Sequence, residues 1–596
     1  MDSYDLTVTS PEPADPGAPV RRPRRRGRWI ALGVVVVLVG WLALAGLRLV
    51  SARRHAQTGL DELKAAQEQL DPAALIRGKD LPQLRRAEAA FDQASADAGS
   101  PVVAPLTVLP WVGRQVRSVR ALTDGASTVV HVGVKAMNRS RAELDATAKS
   151  GPERIALVKR LGAVGTDAAR QLDAVGLGPG EALIGPLSDA RAKFARQLRK
   201  ARAAMHDVAD ASAGIAQMAE GSRYLLLAAN NGEMRSGSGM LLSAGILTVQ
   251  DGKFSLGDMT SVTDLALPPG AVPVTGDYAR NWGWLQPTEE WRYLAMSPQF
   301  PQTAALAAQM WKAKTGQDVD GVLALDPLAL KALVKVSGPV EVNGRKIDEH
   351  NVVRQILLDQ YVNADDFEAN TARREENGDI AKAIVDQLDR VDWHIADLVD
   401  DLRSAARGRH VMFWSSKPEQ QRAWRAAGVS GALPADGFMV SFDNRGGNKL
   451  DQFLAAKTAI THAEAADGGT DVTARITAAN LAPDGLPRYV QGPYKVPDFQ
   501  AGEYKGILAV NVPRWADHVT LDGAGKIVAR GPDGSTRVIA GEMDLLRGAT
   551  ATYTVRFHVP KGYEHLEVVP SARYPAVGYS AGGREWSDTT PREVDW

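Results

Sequence analysis

The chain is 596 residues long, with 70 Lys and Arg balancing 70 Asp and Glu, and it has no cysteine. The neutral balance excludes the broad basic field of a nucleic-acid binder. The missing thiols exclude disulfides, thiolate metal sites and a cysteine nucleophile, so each of the roughly two to four domains that such a length holds must rest on core packing.

Residues 1–28 carry Pro11, Pro13, Pro16, Pro19 and Pro23 among small and charged neighbours, the composition of a disordered tail. Arg21, Arg22, Arg24, Arg25, Arg26 and Arg28 close that tail, and WIALGVVVVLVGWLALAGL follows from Trp29 to Leu47 without an ionisable side chain. As a helix this run spans about 28 Å, close to the hydrocarbon thickness of a bilayer. Residues 29–50 therefore read as a transmembrane helix with Trp29 at an interface. Only Arg48, Arg53 and Arg54 follow it closely, so the positive-inside rule puts the tail in the cytoplasm and the bulk outside a plasma membrane crossed once. Ala43-Leu44-Ala45 resembles a signal-peptide cleavage site, but the apolar run is longer than a signal core. The lipid bilayer is the expected partner through Trp29 to Leu47.

Residues 51–220 are predicted helical. Leu60, Leu63, Ala66 and Leu70 recur at helical spacing, as do Phe194, Leu198, Ala201 and Met205. Ser188 is a candidate N-cap and Gly221 a candidate stop, with breaks at 99–101, Gly151-Pro152 and 176–180. The pattern suggests a helical bundle or stalk; no heptad persists long enough for a coiled coil.

Residues 221–435 alternate strand and helix. Strands are predicted at 224–228, 240–249, 253–256, 321–325, 340–342 and 410–414, and helices at 303–314, 327–336, 351–361, 380–404 and 419–427. This βαβ-like order points to an α/β domain with a central sheet. Residues 436–596 are β-rich, with strands within 437–444, 471–481, 506–513, 518–523 and 551–560 and turns at 443–447, 467–469, 483–485 and 533–534, the texture of a β-sandwich. The fold class is an α+β multidomain chain: transmembrane helix, helical bundle, central α/β domain and C-terminal β-sandwich-like domain.

The most distinctive short stretch leaves the first predicted strand: Asn230-Asn231-Gly232-Glu233-Met234-Arg235, then the small loop 236–239. Loops at strand ends are where α/β folds place ligand groups, and the Arg235 fork suits phosphate or carboxylate. The same residues also suit a purely local role, with Glu233 pairing Arg235 and the asparagines capping turns. Asp258 and Asp264 follow the 253–256 strand and are weak metal candidates. Gly578-Tyr579-Ser580-Ala581-Gly582 matches the nucleophile-elbow pattern, yet no histidine follows it, so a glycine turn is the better reading. Asp365-Asp366 and Asp400-Asp401 read as solvated faces. Trp282, Trp284 and Trp291 are core or interface rings, although such rings also stack on sugars. There is no H-E-x-x-H, Walker A or Rossmann glycine pattern, and no cofactor is expected.

Tyr224-Leu225-Leu226-Leu227 with Asn230-Asn231-x-Glu233-x-Arg235, Ser297-Pro298-Gln299-Phe300-Pro301, the run from Asp320 to Pro327, Ser337-Gly338-Pro339-Val340-Glu341-Val342, Asn351 to Tyr361 and Asn448-Lys449-Leu450-Asp451 together resemble the bacterial envelope family called domain of unknown function 4012, over about Arg223 to Asp522. Ser236-Gly237-Ser238-Gly239 departs from the commoner Ala-Thr-Gly-Gly. The resemblance implies a single-pass protein with a helical region and extracytoplasmic α/β and β domains, and it supplies no activity. A fainter likeness is to the LytR–CpsA–Psr glycopolymer transferases. It rests on Arg235-Ser236, on Asp320 to Asp326 followed by Gly338-Pro339-Val340-Glu341-Val342, and on Arg373-Arg374 ahead of Gly378-Asp379-Ile380. It implies a pyrophosphate clamp of Arg235, Arg373 and Arg374 with Asp258 or Asp264 near a metal, but Gly237 stands where that family has an acid.

The ligand-binding candidates are thus Asn230, Asn231, Glu233, Arg235, Arg373 and Arg374. The expected role is binding or scaffolding in surface-polymer assembly, toward envelope polysaccharide or a polyprenyl-phosphate lipid, and more a binder than an enzyme. The alternative is a divergent glycopolymer phosphotransferase acting on polyprenyl-pyrophosphate-linked substrates.

Overall fold

The computed structural model describes residues 26–69, 82–144, 150–361, 367–391, 395–492 and 499–596. The tail at 1–25 and the Asp365-Asp366 pair lie outside the described residues. The described residues form two compact units: those within 26–68, 82–130 and 176–195, and those within 131–175 and 196–596.

In the first unit, helix Arg26–Gln69 runs unbroken well past the apolar stretch. Its Val36–Ala66 portion is long and apolar enough to cross a membrane. Val36, Val37, Leu38, Val39, Leu42, Leu44 and Leu47 all face outward; a helix this apolar is stable only against lipid or protein. Helix Pro82–Ala98 lies against it. Phe91 sits so close to Gly59 that a Cβ there would come within 2.7 Å of the ring, which explains a glycine inside a long helix.

The second unit is built on a mixed central sheet. Its strands are β1 (Gly221–Asn230), β2 (Met240–Gln250), β3 (Lys253–Leu256), β4 (Thr260–Ser261) and β5 (Gly321–Leu325), with the hairpin β6 (Val340–Val342) and β7 (Arg345–Ile347) apart and β8 (Val411–Ser415) closing the sheet. The order is β3-β2-β1-β5-β8, with β4 beside β2. Only β1 and β5 are parallel; the other pairs are antiparallel. The βαβ-like alternation of the sequence therefore yields a single parallel crossover, and 340–342 leaves the central sheet for a hairpin.

β1 is buried on both faces. Tyr224 and Leu226 join a core with Leu157, Met218, Leu333, Ile384 and Trp424. Leu225 and Leu227 join another with Trp282, Trp291, Phe300 and Met310. A strand with apolar residues at consecutive positions needs cover on both sides. Helix Gly151–Asp173 starts with a capping box between Ser150 and Glu153, and helix Gly185–Glu220 begins ahead of Ser188 and stops where Gly221 opens β1.

Twelve further strands follow: β9 (Gly437–Asn444), β10 (Leu454–Glu464), β11 (Thr470–Asn480), β12 (Tyr504–Pro513), β13 (Asp517–Asp522), β14 (Ile527–Asp533), β15 (Thr536–Leu545), β16 (Thr550–Val559), β17 (His565–Val568), β18 (Gly578–Ala581), β19 (Arg584–Ser587) and β20 (Arg592–Asp595). They form two six-stranded sheets, β13-β16-β11-β10-β18-β19 and β14-β15-β12-β9-β17-β20. Phe438, Val440, Phe442, Leu508, Val510, Val555 and Phe557 fill the space between them. Alternate residues of β12 and β15 point the other way: Ile507, Ala509, Val538 and Ala540 belong to the core that holds Leu225 and Trp291. The β9-containing sheet is thus covered on both faces. The Gly578–Gly582 motif is the β18–β19 hairpin, turning at Gly582 and Gly583 with positive φ.

Candidate functional site

β1 ends by delivering Asn230 and Asn231 into a buried loop, and the two asparagines diverge. The Asn230 amide donates to the Tyr361 hydroxyl at 3.1 Å, while its carbonyl oxygen accepts from the Gly232 N–H at 2.7 Å. Asn231 donates to Asp326 Oδ2 at 2.9 Å and to the Ala572 carbonyl at 2.7 Å. Asp326 is the N-cap of helix Pro327–Ser337, and its Oδ2 also meets His410 Nδ1 at 2.6 Å. The asparagines therefore work as ties within the fold.

Arg235 is buried, 3% exposed. Its Nε donates to the Arg292 carbonyl at 3.1 Å, and one terminal nitrogen donates to the carbonyls of Met234 and Asn444 at 2.7 and 2.6 Å. Its guanidinium carbon lies 5.6 Å from the centre of the Tyr293 ring. Asp443, on β9, accepts from the Ser236 N–H at 2.6 Å and from its hydroxyl. Asp451 accepts from the Met234 N–H at 2.9 Å, from Asn444 at 2.8 Å and from the Tyr504 hydroxyl at 2.9 Å. Burial pulls the Arg235 guanidinium down from its ordinary value, with Asp443 opposing. Burial pushes Asp443 up to about 7 despite Arg235 and the Ser236 donors, and pushes Asp451 up despite Arg573 and its own donors. The loop 234–236 is a polar seam between the strand-and-helix layer and the sandwich.

Glu233 takes a third direction. It is half-buried and pairs with the ammonium of Lys449, whose side chain is 2% exposed. Lys449 Nζ also lies 4.6 Å from the ring centre of Tyr361 and 5.5 Å from that of Tyr489, and the two rings stack 5.3 Å apart. Burial pulls Lys449 down to about 7, with Asp451 opposing. Glu233, Lys449 and Tyr489 line a small open cleft of about 80 Å³, whose other walls are formed by the polar residues Ser243, Ser261, Thr263, Arg292 and Asn377 and the apolar Met240, Leu242 and Val262. Ser261 and Thr263 hydroxyls bond each other at 2.9 Å, and Arg292 pairs with Glu290. Hydroxyls, an amide, an ion pair and an aromatic face in one cleft can hold a polar, hydroxylated ligand.

Of the sequence candidates, Glu233 lines this cleft, Asn230 is tied to Tyr361 and Gly232, and Asn231 and Arg235 are held by partners within the fold. Arg373 and Arg374 fall on helix Phe367–Arg390, with their side chains outside the described residues. Asp258 is fully exposed and 3.8 Å from Lys382; Asp264 is exposed too. Among the described residues no group of three metal-ligating side chains forms. Trp282 and Trp291 are core rings, while Trp284 is exposed beneath Arg445, 5.0 Å from its ring centre. Sequence reasoning gave no role to Lys449, Asp443, Asp451, Arg292 or Tyr489. One signal was present: Asp443 directly follows the apolar run GFMVSF on the same predicted strand, and a buried strand tolerates a charge only with partners.

Comparison with curated proteins finds no match. Residues 220–361 match the family described as "Protein of unknown function (DUF4012)", so the segment carrying β1, the Asn231 to Arg235 loop and Tyr361 is a DUF4012 segment.

Proposed function

We propose that the chain is a membrane-anchored protein of the bacterial cell envelope that binds or scaffolds in surface-polymer assembly, held in the plasma membrane by Trp29 to Leu47 with its basic tail inside. The observation that carries the binding reading is the fate of Arg235. A phosphoryl-transfer clamp needs cations aimed at the ligand, and this guanidinium is turned onto three backbone carbonyls. The cleft beside it offers hydroxyls, Asn377 and the Tyr489 ring, groups that recognise sugar or lipid-phosphate headgroups without breaking bonds.

Full-length protein in detergent, titrated calorimetrically with envelope oligosaccharide and with a polyprenyl phosphate, tests this. Binding of either is expected, with loss in Ser243→Trp, which fills the cleft. Turnover of a polyprenyl-pyrophosphate-linked glycan at enzymic rates, abolished in Arg373→Ala/Arg374→Ala, would establish the transferase instead. Protease applied to intact cells should remove the C-terminal mass; survival of that mass until lysis would refute the topology.

A further inference from the structure

Between helices Pro82–Ala98 and Val112–Leu144 the chain reads GSPVVAPLTVLPWVG from Gly99 to Gly113, with no ionisable side chain. Its centre is the 3-10 turn Ala104–Val108. Val108 is 81% exposed and Trp111 58%, with Leu109 and Val112 exposed beside them. A contiguous apolar patch on a loop calls for a cover.

The structure fixes where that patch sits along the apolar helix. Trp41 Nε1 donates to the Val102 carbonyl at 3.0 Å. Trp41, Ala45 and Leu49 pack with Val102, Val103, Leu106 and Val116. Farther along the same helix Arg48 meets Asp97 at 2.8 Å and His55 meets it at 3.1 Å. Hydrogen bonds from Ser51, Arg48 and His55 hold the Asp97 carboxyl below its ordinary value against burial, so this knot stays charged and belongs at a polar boundary. Trp41 lies seven residues before Arg48, about 10 Å along the axis at the helical rise. The Val102 carbonyl therefore sits about that far beyond the charged knot, beside the outward-facing Leu42, Leu44 and Leu47.

The backbone of the loop also suits a water-poor setting. Pro101, Pro105 and Pro110 have no N–H to strand. The Val103, Leu106, Leu109 and Gly113 N–H groups donate to Ser100, Val103, Leu106 and Leu109 carbonyls, and the Thr107 hydroxyl donates to the Ala104 carbonyl. The hydrocarbon core would strand any backbone group without a partner, so an irregular loop bonded internally in this way suits the interfacial level of the bilayer and not its centre. Arg117 also reaches back from the following helix to donate to the Thr107 carbonyl.

We infer that residues 101–112 dip into the bilayer leaflet at the Arg48 end of the helix and form a second, interfacial membrane contact beside the anchor. This rests on the anchor reading above. The lipid surface is the occupant because the exposed loop residues continue the exposed apolar face of the helix. A lone helix can swivel and tilt; a second point of contact fixes how the first unit stands on the membrane. Trp111 is the residue type that settles at the headgroup level.

The chain has no cysteine, so single-cysteine variants of the full-length protein can be labelled cleanly. Leu44→Cys, Val108→Cys and Thr128→Cys, each at an exposed position, would carry an environment-sensitive fluorophore in phosphatidylcholine/phosphatidylglycerol vesicles with spin-labelled acyl chains. The label at 44 should lose most of its emission, that at 108 should do the same most strongly with the spin label near the headgroup, and that at 128 should keep its emission. Quenching at 44 with none at 108 overturns the inference and leaves the anchor standing. A blue-shifted but unquenched label at 108 means a protein cover and overturns it too. No quenching at 44 removes the anchor and the inference together.

Discussion

Arg235 illustrates how a residue type associated with ligands becomes structural once it is buried. Its donors hold the Met234, Asn444 and Arg292 carbonyls in place, while Asp443 and Asp451 gather the neighbouring backbone donors. Removing the cation leaves two buried carboxyls and three carbonyls without it. Arg235→Ala should lower the unfolding free energy by about 3–5 kcal/mol, and Arg235→Lys should recover little because an ammonium lacks the fork. Urea unfolding of the detergent-solubilised chain measures both; a near-normal midpoint for the alanine variant would leave Arg235 free for a ligand role.

The same seam sets a pH dependence. Asp443 is held at about 7 when folded, above its ordinary value of 3.8, so the native state keeps a proton that the unfolded chain releases. Stability is then full below about pH 4, falls as pH rises, and levels off above about pH 7. Lys449, drawn down to about 7 from 10.5, acts in the other window: stability rises between about pH 7 and 10.5. Asp443→Asn keeps the acceptor for the Ser236 N–H and removes the titrating proton. Its Tm should decline less than the wild type's between pH 5 and pH 7, measured by nano-calorimetry (roughly the interval the linkage spans); parallel profiles would show that Asp443 does not carry the slope.

At the scale of elements, helix starts differ in what hangs on them. Ser150 caps an exposed helix end, and Ser150→Ala should cost about 1 kcal/mol. Asp326 accepts the Leu328 and Ala329 N–H groups at 2.9 and 3.0 Å and also receives Asn231 and His410. Asp326→Ala should cost about 2–4 kcal/mol, the cap plus a buried amide left without its acceptor; equal losses for the two variants would mean that the Asn231 tie carries no weight. The helix start at Pro327 was readable in the sequence, though not the part that Asp326 plays in capping it. So were the strands with strong apolar or β-branched patterns, such as β1, β2, β9 and β12. β10 was not, because LAAKTAITHAE presents alanine where alternation must be sensed. The sheet order β3-β2-β1-β5-β8 was not legible either, since strand pairing is a tertiary choice among similar apolar runs. The same limit hid half of the site. The loop at 230–235 stood out as a motif, but its partners Lys449, Asp443 and Asp451 lie more than two hundred residues away.

At the scale of the second unit, the apparent joint near residue 435 is crossed by shared core. Ile507, Ala509, Val538 and Ala540 of the sandwich bury the same surface as Leu225, Trp282 and Trp291. The Met234 carbonyl accepts from the Asn444 N–H across the seam at 3.0 Å. A sheet face that is apolar and covered only by the other layer cannot be left in water cheaply, at about 25 cal/mol for each Å² exposed. The two halves should therefore unfold together. Native-state hydrogen exchange on the full-length protein is the measurement: amides of Leu225, Leu226 and Leu227 and those of Leu508, Ala509 and Val510 should open with one common free energy and one common denaturant dependence. A fragment ending at residue 435 should fail to give a cooperative melt. If the β12 amides stay protected after those of β1 have exchanged, the layers are separate domains in contact, and the seam at Arg235 is an interface that can open for a ligand.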